Sequence, residues 1–298
     1  MSRAFAVVNP AAGGGRTERV WRGLRDELTR SGLAIEWVAS AAPGDASALA
    51  RRAALAGWPL VVAVGGDGTL NEVVNGVVDA DGRALASVGF LATGRGSDAC
   101  PNFGLAAEPI QAARRLLIAH DTRFDLGVAA WPDGTRRYFL NTAGAGFDAV
   151  VARRVAARGG SGTLPYVRGV VGAIARHRAV DAAIEVDGRP AWSGRLATAV
   201  VANGPCFGGG MRIAPAADPG DGLLDVVVLG DLGRWELLWW LPTVYRGEHL
   251  ANRKVQALRG REVRIRAETP LPTQLDGEAM PATPVTLTVL PGALPLRR

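Results

Sequence analysis

A short apolar run, Leu60 to Val64, passes directly into Gly65-Gly66-Asp67-Gly68-Thr69 and then into a helix-forming stretch. Glycines at such a turn let the main chain approach a phosphate and aim amides at it, and the start of a helix adds a partial positive charge. An aspartate inside a phosphate loop repels its ligand unless a divalent cation stands between them. Asp67 therefore points to Mg2+, held directly or through water. Taken alone, the same turn is also an ordinary tight connection between a strand and a helix.

Similar chemistry recurs at the ends of other apolar runs. Asn9-Pro10 with Gly13 to Gly15 follows Ala4 to Val8, Gly94-Arg95-Gly96-Ser97-Asp98 follows Ser87 to Leu91, and Asp125 lies in Arg123-Phe124-Asp125-Leu126-Gly127. Asp67, Asp98 and Asp125, at neighbouring edges of one sheet, are expected to share one or two Mg2+ ions and their waters. For Asp125 by itself, a strand-edge turn role is the competing reading. The chain has no G-x-x-x-x-G-K-[ST] loop and no V-A-I-K strand, and its only lysine is Lys254. ATP bound here must be held by backbone amides, arginines and a metal.

Further along, Asp218, Asp221 and the Leu223 carbonyl stand at i, i+3 and i+5, a spacing that can wrap one hard cation, although a Pro-Gly turn with solvated carboxylates fits as well. Leu275-Asp276-Gly277-Glu278 reads by itself as a hairpin turn. Gly144-x-Gly146-x-x-Ala149 lacks the following strand and helix of a dinucleotide fingerprint, and His120, His177 and His249 have no catalytic or metal spacing. Cys100 and Cys206 stand far apart and read as reduced and buried.

The elements that must position these residues fall into two textures. Up to residue 127, strands at Ala4 to Val8, Ala34 to Ala39, Leu60 to Val64 and Ser87 to Leu91 alternate with helices from about Thr17, from Asp45 to Ala56, from Thr69 to Val78 and from Glu108 to Ala119. That alternation predicts an α/β domain with a doubly wound, mainly parallel sheet over residues 1–127. Residues 128–298 carry turn-punctuated strands at Tyr138 to Thr142, Ala183 to Val186, Leu196 to Val201, Leu224 to Leu229, Val263 to Arg266 and Val285 to Leu290, and predict a mainly antiparallel β-sandwich. Helical insertions are expected near Tyr166 to Ala175 and Trp235 to Tyr245. At 298 residues, 48% apolar, the chain can build two cores, and no apolar run is long enough to span a bilayer. The net charge of +6 suits an anionic partner.

With these pieces in order, the sequence resembles the diacylglycerol kinase catalytic family, which includes sphingosine, ceramide and bacterial lipid kinases. The matching segments are Val8-Asn9-Pro10 with its glycines, Gly65 to Gly76, Gly94 to Asp98, Asn141 to Asp148, Asp218 to Asp225 and Leu275 to Glu278. The resemblance implies a kinase taking ATP and Mg2+ in a cleft between domains and phosphorylating a lipid hydroxyl, with diacylglycerol to phosphatidic acid as the default reaction. It implies nucleotide contacts from Asn9, Ser40, Gly65, Gly66, Asp67, Gly68, Thr69, Thr93 and Gly94, and a Mg2+ network of Asp67, Asp98 and Asp125. A structural Mg2+ at Asp218, Asp221 and Leu223 is implied as well. Asp276 becomes the base for the lipid hydroxyl, with Glu278 beside it.

The family usually has Thr and Asn where this chain has Arg95 and Ser97. Arg95 either supplies the phosphate charge that lysine does not, or marks a changed substrate or a weakened enzyme. The rival readings are a NAD kinase, for which Asn71-Glu72 lies too close to the loop, and a lipid-binding regulatory protein. The expected partner is a lipid at the membrane surface rather than nucleic acid, a homodimer is left open, and the expected location is cytoplasmic and peripheral at the inner membrane surface. Trp235, Trp239 and Trp240 on one helix fit either an interfacial wedge beside Arg234 and Arg246 or core packing.

Overall fold

The computed structural model describes residues 3–94, 97–157, 172, 174 and 178–298, so Arg95 and most of the helix expected at Tyr166 to Ala175 lie outside the described residues. The chain forms two compact units, one ending at Asp125 and joined by Gly292–Arg298, the other Leu126–Pro291.

In the first unit, β1 (Arg3–Val8), α1 (Ala12–Arg30), β2 (Ala34–Ala39), α2 (Asp45–Leu55), β3 (Leu60–Gly65), α3 (Asp67–Val77), β4 (Ser87–Ala92), α4 (Ala99–Phe103) and α5 (Pro109–Ile118) follow in turn. The strands lie in the order β2-β1-β3-β4, and all are parallel. Parallel strands need crossover helices, and these cover the sheet. On one face Trp21, Leu24 and Leu28 of α1 and Ala112, Ala113 and Leu116 of α5 pack against Ala4, Ala6, Val62, Val64 and Leu91. Gly13, Gly14 and Gly15 all have left-handed φ, so regular helix in α1 starts only after them. α3 lies against α2, where a Cβ on Gly76 would stand 2.8 Å from the Ala50 Cβ.

β5 (Asp121–Ala130) leads into the second unit, which contains β6 (Arg136–Phe139), β7 (Thr142–Gly146), α6 (Phe147–Ala157), β8 (Val180–Val186), β9 (Arg189–Leu196), β10 (Thr198–Ala202) and β11 (Leu224–Leu229). Then come α7 (Arg234–Val244), β12 (Val255–Gly260), β13 (Glu262–Ala267), β14 (Thr273–Leu275), β15 (Glu278–Met280) and β16 (Val285–Arg297). One layer runs β16-β13-β8-β9 and the other β12-β11-β10-β7-β14-β15. Ile184, Val263, Ile265 and Leu287 from the first layer and Ala145, Val201, Val226 and Leu275 from the second share one core, which makes the unit a sandwich. The single strand expected over Tyr138 to Thr142 is instead two. Three successive amides at 140–142 turn to the Asp276 carboxylate rather than into a ladder. The last residues of β16 leave the sandwich, and Leu296 pairs in parallel with Val88 of β4.

Candidate active site

Because the four strands of the first unit are parallel, their carboxyl ends fall on one edge, where ligands of open α/β sheets bind. The register pairs Val8 with both Ala39 and Val64, and Gly65 with Ala92. Asn9, Ser40 and Gly65 therefore fall at one level along that edge, with Gly66 and Thr93 one residue beyond. The Asn9 side-chain amide donates to Thr69 Oγ1 at 3.1 Å, tying β1 to the first turn of α3. Thr69 itself needs Gly65, since a Cβ there would lie 2.7 Å from the Thr69 Cβ. Ser40 Oγ donates to the Val8 carbonyl at 3.4 Å. Thr93 is fully buried, its hydroxyl 2.5 Å from that of Thr17 and its amide donating to the Gly65 carbonyl at 2.8 Å, so it supports this edge from beneath.

Gly66 differs from its neighbour. Its φ of −99° suits any residue, and a Cβ there would meet nothing within 4 Å. The fold has no need of glycine at this position, and the missing side chain leaves open the approach to α3. No side chain caps that helix, so its first-turn amides remain available to an anion. The residues thus fit a nucleotide phosphate.

Asp67 opens α3 and faces the loop after β4. Its carboxylate accepts from the Ser97 hydroxyl at 2.5 Å and from the Asp98 amide at 2.9 Å. Burial raises its pKa, the two hydrogen bonds oppose the rise, and the charge of Asp98 adds to it. A cation would relieve that burden, so the Asp67–Asp98 pair suits Mg2+. Asp125 is buried in β5 and accepts from the Gly292 amide at 2.8 Å. Among the described residues no three Asp, Glu, His or Cys side chains converge as a ready metal cage. The expected three-carboxylate cluster is thus not preformed, in keeping with the habit of Mg2+ of using one or two carboxylates plus phosphate and water.

In the second unit, Asp276 and Gly277 form the two-residue turn between β14 and β15, with φ of 47° and 87°. The hairpin reading of these residues is therefore correct. The turn also aims the Asp276 carboxylate at the main chain, where it accepts from the amides of Leu140 at 2.7 Å and of Asn141 and Thr142 at 2.9 Å. Glu278 is ion-paired with Arg137 at 2.7 Å. At the Asp218 turn, Asp218 accepts from the Gly220 amide at 3.0 Å, and Asp221 from the Leu223 amide at 3.0 Å and from the Arg259 guanidinium. Arg259 thus pairs with one of the two carboxylates of the expected cation site.

Two side-chain contacts escape local reading. Glu72 accepts from the Ala46 amide at 3.1 Å and so anchors the start of α2. Asp148, half-buried in the second unit, accepts from Thr198 Oγ1 at 2.6 Å and Gln274 Nε2 at 3.0 Å, and desolvation pushes its pKa up against both. Gly144 leaves it room, a spacing of four residues that is the only local sign.

Residues 3–129 match the diacylglycerol kinase catalytic domain, and residues 141–298, more than half of the chain, match the YegS C-terminal NAD kinase beta sandwich-like domain. The chain belongs to the diacylglycerol kinase family of lipid kinases. This lipid kinase is 27% identical to the diacylglycerol kinase of Mycobacterium tuberculosis, over all of this chain and 96% of that one. It is also 27% identical to the diacylglycerol kinase of Bacillus subtilis, over 93% and 90% of the two chains. A diacylglycerol kinase structure from Bacillus anthracis superposes with a TM-score of 0.74 at 18% identity, covering 99% of this lipid kinase and 96% of that chain. An NAD kinase of Archaeoglobus fulgidus, solved with ATP, gives 0.55 at 16% identity over 99% and 92%. These two likenesses establish the fold.

Proposed function

We propose that this lipid kinase uses ATP and Mg2+ to phosphorylate a lipid hydroxyl, with diacylglycerol converted to phosphatidic acid. The observation that carries the nucleotide half is Gly66, open where the fold needs no glycine, beside the uncapped amides of α3 and the Asp67–Asp98 pair. The names of the curated relatives carry the choice of diacylglycerol. When bound, MgATP supplies the phosphoryl group and the metal charge that offsets its negative oxygens. Asn9, Ser40, Thr69 and the main chain of Gly65, Gly66, Gly68 and Gly94 hold the nucleotide, with Thr93 fixing the edge beneath them. Asp67 and Asp98 bind the metal and its waters, and Asp125 completes their network.

Asp276 receives the proton of the lipid hydroxyl. Three amides fix its orientation, and orientation is what proton acceptance requires first. Glu278, held by Arg137, steadies the same turn. The enzyme works in the cytoplasm and meets the inner membrane surface peripherally.

Labelled ATP, Mg2+ and a panel of lipid alcohols in mixed micelles test the reading, and label is expected in phosphatidic acid. Label in NADP, or in no lipid, would overturn it. Asp276→Asn should lower kcat by roughly 10²–10⁴-fold. A wild-type rate would take the base role away from Asp276.

A further inference from the structure

α7 is apolar on both sides. Leu237, Trp240, Leu241 and Val244 face inward and line an apolar cavity of about 80 Å³. On the outer side Trp235 is 83% and Trp239 is 79% exposed, whereas Trp21 and Trp131 are 6% and 5% exposed in the cores. Trp235, Trp239, Pro242 and Arg246 stand at i, i+4, i+7 and i+11, so they form one stripe along the helix and its exit, and all four are exposed. A helix apolar all round is ordinarily buried. Here the outer stripe has nothing of this chain over it among the described residues.

We infer that the outer face of α7 is the membrane-docking surface of this protein and that its occupant is an anionic lipid bilayer. Tryptophan favours the boundary between headgroups and acyl chains, where its ring is buried and its N–H stays wet. Arginine favours anionic headgroups. Arg234 opens the helix, Arg246 follows its end and Arg253 lies in the next turn, and none of the three has an ion pair among the described residues. Of the acidic side chains nearby, Glu236 is paired with Lys254 and Asp231 with Arg195, which leaves Glu248. The local balance therefore matches an anionic surface.

A second copy of the chain fits less well. A two-fold pairing of this stripe would bring its three arginines close to those of the other copy, with Glu248 alone on each side to offset them.

This inference rests on the reading that the substrate is a lipid presented in a membrane, and the test separates the two. Binding to vesicles of phosphatidylcholine, with and without phosphatidylglycerol, is measured by sedimentation for wild type, for Trp235→Ala/Trp239→Ala, and for Arg234→Gln/Arg246→Gln/Arg253→Gln. All five side chains are exposed, so the variants should fold, which thermal melts will check. The tryptophan pair should lose vesicle affinity by roughly tenfold or more, and the arginine triple should lose most of the preference for phosphatidylglycerol. Turnover of a short-chain diacylglycerol dissolved as monomer should stay at the wild-type value in both. Brominated acyl chains should quench wild-type fluorescence more than that of Trp235→Phe/Trp239→Phe. Full vesicle binding by the tryptophan pair overturns the inference. So does a concentration-dependent dimer that the pair abolishes while vesicle binding persists. Vesicle binding that depends on the two tryptophans in a protein that phosphorylates no lipid would sustain the surface and defeat the proposed function.

Discussion

Asp67 serves the fold and the chemistry in opposite directions. Burial, more than the neighbouring charge of Asp98, raises its pKa above the ordinary aspartate value. A carboxyl raised in this way stabilises the fold fully below its unfolded pKa, and that contribution is lost as pH rises through the folded value. Near neutral pH the metal-free protein therefore carries a destabilising charge at the position that suits Mg2+. Asp67→Asn should melt higher than wild type at pH 7 to 8 without metal, with the difference closing below about pH 4. The same variant should lose the Mg2+-induced rise in Tm and lower turnover by about 10²-fold or more. Thermal melts across pH, with and without Mg2+, check both. A retained Mg2+ shift would remove Asp67 from the metal site. Asp67 stands out in the sequence because it lies inside a glycine loop; Ser97, which reads as a departure from the family, turns out to hold that carboxylate.

Among the elements, the loop and helix from Gly65 to Gly76 show how one motif mixes two kinds of glycine. Gly76 is required by packing, since its Cβ would stand 2.8 Å from the Ala50 Cβ of α2. Gly66 is not required by packing at all. Gly76→Ala should therefore destabilise by about 1–3 kcal/mol through overpacking. Gly66→Ala should unfold within about 0.5 kcal/mol of wild type yet raise KM for ATP. Denaturant unfolding beside ATP saturation curves separates them, and a large stability loss in Gly66→Ala would refute its assignment to the ligand. The sequence shows both as glycines in a helix-forming stretch. Only the neighbour across the α2–α3 contact tells them apart. The crossover helices and central strands were readable because each repeats with its own short period. β6 and β7 were not separable, because what divides them is a carboxylate far along the chain.

For the whole molecule, the end of the chain matters more than its length suggests. Leu294 and Leu296 are completely buried, Leu296 pairs with Val88, Gly292 donates to Asp125, and Arg297 is ion-paired with Asp121 at 2.8 Å. Deleting residues 292–298 should cost the first unit several kcal/mol, since each buried leucine is worth about 1.5–3 kcal/mol. Hydrogen exchange should show protection falling in β3 and β4 while β10 and β11 keep theirs. Uniform loss, or none, would contradict this division of labour. The sequence alone determined the succession of strands and helices, the glycine turns and the carboxylates beside them, because periodicity and turn chemistry act over a few residues. Tertiary structure alone decided that Asp276 meets residues 140–142, that Asp125 meets Gly292, and that Arg259 meets Asp221. Those partners are set by strand register and chain return across 38 to 167 positions, a distance over which local sequence carries no signal.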